Sequence, residues 1–199
     1  MKTKLVYGIG LMDIRGGTRI GDTGLVNPAY YRWKMMLRRC YSEEFLERNP
    51  TYRGCTVSDE WLVYSNFKEW HDAQGCVDGK ELDKDIIDPG NKVYSAETCV
   101  FVEKSLNALL NQRKADRSST GIIGVSRHPY AKHKFVSFCK VHGKNIYLGI
   151  FDNVDDASKV YRAYKINYIR SFIENETDER IRGGLEKHVK LLLEGTYGE

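Results

Sequence analysis

The chain has no apolar run approaching the ~20 residues of a membrane-spanning helix, so no span is expected. Its first residues, MKTKLVYGIG, hold two lysines but no apolar core of signal-peptide length, and no export is expected. The five cysteines, Cys40, Cys55, Cys76, Cys99 and Cys139, contain no C-x-x-C pair. An odd number of thiols without a secretion signal fits free cysteines in a reducing cytoplasm. The alternative is a zinc site built from Cys40, Cys55, Cys76 and Cys99. There is no long internal repeat and no low-complexity tract. What remains is an ordinary globular composition over 199 residues, enough for one larger domain or two small ones.

The net charge is +4, and its distribution says more than its sum. From Tyr30 to Ser42 there are four basic residues and no acid. From Glu43 to Gln112 there are fourteen Asp/Glu against seven Lys/Arg. From Arg113 to Ile150 there are eight Lys/Arg and one acid, Asp116. A segment of net +7 inside a nearly balanced chain points to a polyanionic partner; a solvated linker with surface lysines is the plainer reading.

The first 26 residues are rich in glycine and read as loops with one short strand, KLVYGI. Asn27 as N-cap and Pro28 at the first helical position then start a helix. Tyr30, Trp33, Met36, Leu37, Cys40 and Tyr41 form its core stripe, and Arg32, Arg38 and Arg39 its opposite side. VSDEWLVYSNFKEWHD predicts two short helices capped by Ser58 and Ser65, with Trp61, Tyr64, Phe67 and Trp70 as a packed layer. His71 at its end reads as a helix C-terminal partner. ELDKDI and TCVFV have strand character, the DPGNKVYS between them is a loop, and EKSLNALLNQ is a helix with Leu106, Leu109 and Leu110 on one side. RKADRSSTG is a polar linker, with a domain boundary near Ser118.

GIIGVSRH, HKFVSFCKV and NIYLGIF follow as three strands. Asn153 caps a helix with Asp155 and Asp156 in its first turn, on which Ala157, Val160, Tyr161, Tyr164 and Tyr168 keep helical spacing. EKHVKLLLEG is a last short helix that packs back or mediates association. In the middle strand Val136 and Phe138 share one face, and Phe135, Ser137 and Cys139 the other. A small sheet buries one face on its helix. The open face here is flanked by Arg127, Lys132, Lys134, Lys140 and Lys144, as a ribbon entering a DNA major groove would be. His128, His133 and His142 share no ligand spacing and suit phosphate or solvent. The stretch GVSRHPYAKHKFVSFCKVHGKNIYLGIFDNVDDASKVYRAY resembles an AP2 DNA-binding domain. The resemblance implies duplex DNA as partner. It also places Arg127 and Phe135 at the DNA, with Phe135 standing where the family has tryptophan.

LDKDIIDPGNKVYSAETCVFVEKSLN resembles the HNH nuclease unit, two strands and a helix around one divalent metal, and the segments before it resemble those of phage HNH proteins with an AP2 tail. This resemblance spans about Tyr30 to Arg170. Asp83 matches the metal-binding aspartate and Asn107 the last motif position. Lys84 stands where the general-base histidine belongs, and Thr98 where an asparagine fixes the loop. Lysine has an ordinary pKa near ~10.4 and is a poor base at neutral pH. Asp83, Asp85 and Asn107 would then form an oxygen-rich site for Mg²⁺ or Mn²⁺, with Lys84 on the phosphate. Asp83, Lys84 and Asp85 as a charged structural turn is the competing reading.

The expected fold is therefore α+β. An HNH-like ββα-metal unit with helical N-terminal support covers residues 1–116. A three-stranded antiparallel AP2-like sheet with one helix, and a C-terminal helix, covers 117–199. The expected function is phage-type, metal-dependent nicking of duplex DNA in the cytoplasm of a bacterial host. Catalysis would fall to Asp83, Lys84, Asp85 and Asn107, and DNA contacts to the sheet residues with Arg38 and Arg39. Two alternatives stand beside it: a DNA-binding protein that has lost the chemistry, and an inhibitor of the counter-defence type acting on a protein partner through the acidic stretch Glu43–Glu103.

Overall fold

A computed structural model describes residues 5–110 and 118–196. It is a mixed α+β chain in two compact units, Met1–Phe101 and Val102–Glu199. No helix among the described residues is long and apolar enough to cross a membrane.

In the first unit α1 (Pro28–Tyr41) starts as its sequence dictates: the Asn27 carboxamide accepts from the Ala29 amide at 3.0 Å, with proline next. Its buried stripe is Ala29, Trp33, Met36, Leu37 and Cys40. α2 (Glu43–Arg48) is capped by Ser42. The strand β1 (Thr56–Val57) leads to α3 (Asp59–Leu62) and α4 (Tyr64–Ala73). Trp61, Tyr64 and Phe67 are buried and Trp70 packs against them, so the aromatic layer is core. The Trp33 indole donates to the Trp61 carbonyl at 2.7 Å, which fixes α1 to that layer.

The break between α3 and α4 differs from its expected cause. Ser58 holds the cap position of α3 but makes no side-chain cap bond, and Ser65 lies inside the first turn of α4. The N-terminal segment makes the break instead. The Leu11 amide donates to the Leu62 carbonyl at 2.8 Å, and the Tyr64 amide donates to the Leu11 carbonyl at 3.0 Å. Asp13 then accepts from the Ser65 amide at 2.9 Å. Residues 5–26 are thus part of this unit, through isolated bridges rather than the expected strand. Gly10 permits this: a Cβ there would stand 2.3 Å from Leu37.

Strand β2 (Lys80–Asp83) pairs with β4 (Val100–Glu103). The loop between them contains β3 (Val93–Tyr94), which pairs in parallel with β1. β2 stops at Asp83, short of the expected ELDKDI, because the chain bends there.

In the second unit α5 (Lys104–Leu110) packs on β6 (Phe135–Val141). α5 thus falls in the same compact unit as the three-stranded sheet. Most of the expected linker lies outside the described residues. Its end is tied to β5 (Val125–Arg127), since the Thr120 hydroxyl donates to the Val125 carbonyl at 2.8 Å. β5, β6 and β7 (Lys144–Phe151) form an antiparallel sheet in that order. His142 and Gly143, both at positive φ, make the two-residue turn of the β6–β7 hairpin.

α6 (Val154–Ile173) is capped by Asn153, whose side chain accepts from the Asp156 amide at 2.8 Å. It covers the sheet face that carries Ser137 and Cys139. At Gly124, with φ +77°, a Cβ would lie 2.1 Å from the Tyr161 ring, so only glycine lets β5 approach α6. The last helix, α7 (Glu179–Glu194), is longer than expected and packs back on α6 through a face that includes Ile181, Leu185, Val189 and Leu192.

Candidate nucleic-acid interface and the Asp83–Asp85 turn

In antiparallel strands directly opposed residues share a face. The rows Val125–Ser137–Gly149 and Cys139–Ile146 lie on the α6 side. The rows Ser126–Val136–Ile150, Phe138–Tyr147 and Lys140–Asn145 lie on the other. A register shift after Ser137 leaves Leu148 as the extra residue of β7 and keeps both sets in phase. The far face is not bare throughout: Val136 is buried, and α5 is a second helix on β6. Its β7 side is open, with Tyr147 55% and Ile150 48% exposed, and Lys140 and Asn145 are exposed at the hairpin end.

Two residues expected at DNA sit elsewhere than that face. Arg127, Phe135 and Phe151 form one row of the α6-side set, and the Arg127 guanidinium lies 5.9 Å from the Phe135 ring centre. Lys132 and Lys144 are exposed at the two loops; Lys134 is ion-paired with exposed Asp152. His128 accepts the Tyr130 and Ala131 amides at 3.2 and 2.8 Å, which shapes the β5–β6 loop and leaves Tyr130 92% exposed. His142 pairs with the Tyr168 hydroxyl at 2.9 Å. Tyr130, Asn145, Tyr147 and Ile150 escaped sequence reasoning, which followed charge. The alternation that places Tyr147 opposite Phe138 was the available signal. Between Val125 and Phe151 the chain carries five Lys/Arg and no Asp/Glu.

Arg38 and Arg39, also expected at DNA, pack within the first unit. Arg38 stacks on Phe45 at 5.3 Å, and Arg39 lies partly buried with Tyr94 and Tyr52 as its electrostatic neighbours. Arg32 donates to the Val77 carbonyl at 2.9 Å and stacks on Phe101.

The Asp83–Asp85 segment is a closed network. Asp83 Oδ1 accepts from the Asp85 and Ile86 amides at 2.7 and 2.8 Å, turning the chain out of β2. Lys84 is 6% exposed. Its Nζ donates to the Asp85 carboxylate and, at 2.7 Å, to the Asn91 carbonyl, and stands 5.8 Å from the Tyr94 ring centre. The Asn91 side chain donates to the Lys84 and Val93 carbonyls at 2.8 and 2.7 Å and accepts from the Val93 amide. Thr98 donates to the Val93 carbonyl at 2.7 Å and accepts from the Ser95 amide, so threonine does fasten this loop, together with Asn91. Burial pushes the Asp85 carboxyl above the ordinary carboxylate range, against the pull of Lys84.

Asn107 lies on α5 in the second unit. Among the described residues no three His, Cys, Asp or Glu are arranged to hold a metal ion. Asp83 Oδ1 and Asp85 Oδ1, two of the oxygens expected around Mg²⁺ or Mn²⁺, each accept from protein donors. The cysteines are free thiols; Cys40, Cys55 and Cys99 are buried while Cys76 is exposed, which does not fit a shared zinc.

No protein-family model, curated protein or solved structure matches the chain.

Proposed function

We propose that this chain binds duplex DNA through the three-stranded sheet of its second unit. The observation that carries the reading is the sheet region itself. The stretch between Val125 and Phe151 holds five Lys/Arg and no Asp/Glu, and the face turned from α6 presents Lys140, Asn145, Tyr147 and Ile150. The element order β5–β6–β7–α6 is what an AP2-like module requires, and β2–β4–α5 what an HNH-like segment requires. In the second case the side chains that would do chemistry are used otherwise. Lys84 serves as a donor in two bonds, the opposite of a base, and Asp83 holds a turn. The motif is a folding clamp in a DNA-binding protein.

The test is a salt titration of duplex binding by fluorescence anisotropy. If Arg127, Lys132, Lys140 and Lys144 each meet a phosphate, affinity should fall about 150-fold between 50 and 200 mM salt, and each alanine replacement should lower the slope by about 0.9. No duplex affinity at low salt would overturn the proposal and leave the acidic stretch Glu43–Glu103 as a face for a protein partner. Plasmid nicking with Mg²⁺ or Mn²⁺, lost in Asp83→Ala, would overturn the clamp and restore the endonuclease.

A further inference from the structure

We infer that the sheet reads A·T base pairs in the major groove, packing Tyr147 and Ile150 against thymine methyl groups; this rests on the DNA-binding reading above. In the major groove guanine offers two acceptors that arginine grips best, adenine an acceptor and a donor that asparagine matches, and thymine a methyl group. The face away from α6 carries no arginine in its cross-strand rows, because Arg127 belongs to the other set and stacks on Phe135. It does carry Asn145, exposed opposite Lys140. Beside it Tyr147 leans on Phe138, ring centres 5.5 Å apart, and Ile150 flanks Val136. Tyr147 and Ile150 thus put half-exposed apolar surface on the same face of the sheet. Lys140 stands in these rows and Lys132 and Lys144 are exposed at the adjoining loops, with no carboxylate in the sheet sequence. That charge suits phosphates on either side of an apolar strip, which is what thymine methyls supply. Asn145 and the apolar pair therefore point to the same base pair by different chemistry.

The experiment uses the full chain and four duplexes: alternating dA-dT, the same with uracil for thymine, alternating dG-dC, and the same with 5-methylcytosine. Uracil removes the methyl and leaves the pairing edge intact. Binding should fall about fourfold for each methyl contacted, so about 15-fold for two. 5-Methylcytosine should strengthen binding to the G·C duplex. Tyr147→Ser and Ile150→Ser change exposed side chains, and their far-UV circular dichroism should match the parent. Each should shrink the thymine-over-uracil ratio at least threefold and leave the salt slope in place. Equal affinity for the thymine and uracil duplexes, with salt-sensitive binding retained, overturns the methyl readout and spares the DNA-binding reading. A ratio that survives in both variants overturns the assignment to these residues. No salt-sensitive binding to any duplex overturns the DNA-binding reading and this inference with it.

Discussion

Replacing Lys165 with methionine should stabilise the second unit. Lys165 sits on the sheet-facing side of α6, wholly buried, with its Nζ 6.0 Å from the Tyr161 ring centre and the buried thiol of Cys139 as its electrostatic neighbour. Burial brings the amine down from 10.5 to about 7, partly opposed by Cys139. At ~1.4 kcal/mol per tenfold change in proton affinity, the cost is at most about 5 kcal/mol. The sign follows from proton counting. Between about 7 and 10.5 the unfolded chain holds a proton that the folded chain has released, so this group makes stability rise with pH. Below 7 its cost is fully present. The cysteines act oppositely: burial pushes Cys40 and Cys99 up to about 12, so unfolded thiols ionise first and stability falls above about pH 8.5. Comparing parent and variant at each pH removes that shared slope. A similar-sized apolar side chain should add about 2–3 kcal/mol at pH 6.5, and the advantage should narrow by about 1–3 kcal/mol by pH 9.5. Urea unfolding is the assay. All three tryptophans, Trp33, Trp61 and Trp70, are in the first unit, so their fluorescence is the internal control. Circular dichroism reports both units, and the shift should appear in the part that fluorescence does not follow. A gap that stays constant with pH, or a variant less stable than the parent, would refute the reasoning.

Three further outcomes follow from single contacts. Asn91→Ala removes a side chain with three loop bonds and should cost the first unit about 2–3 kcal/mol in urea unfolding followed by tryptophan fluorescence. Asn91→Asp, which turns a donor toward two carbonyls into an acceptor, should cost more. Asp13→Ala should cost about 1 kcal/mol, the value of a lost N-terminal helix acceptor, and would read as zero if water replaced it. Gly124→Ala, blocked by the Tyr161 ring and by positive φ, should cost more than about 2 kcal/mol in the second unit, read by circular dichroism, with the tryptophan transition unmoved.

Much of the local structure was legible because it depends on near neighbours. Asn27 with Pro28, and Asn153 with Asp155 and Asp156, announce α1 and α6 within a few residues. The alternation of β6 and the polar breaks beside it give the sheet. Illegible features depend on distant partners. Lys165 stands one turn beyond Tyr161 and is buried with it, which the charge of a lysine does not announce. Arg38 and Arg39 look like a phosphate-binding edge until Phe45 and Tyr94 are folded against them. The motif Asp83, Lys84, Asp85 carries the letters of a metal site, and the short sequence gives no hint that Asn91 will occupy the lysine. At the sheet the charges mark only the edges, while the exposed centre of β7 is set by its cross-strand register with β6.

The junction of α3 and α4 has a consequence for folding. Asp59 to Ala73 contains neither glycine nor proline, so no backbone breaker of its own accounts for the gap between the two helices. The bonds at this gap come from Leu11 and Asp13, with Asp13 and Ser65 52 residues apart. Closing so long a loop costs entropy before any of these bonds is gained, so contacts of this kind form slowly. In the folding chain the bonds that secure the kink should therefore form only when the amino-terminal segment docks. The geometry of this helix pair is thus held by residues about fifty positions away rather than by its own sequence.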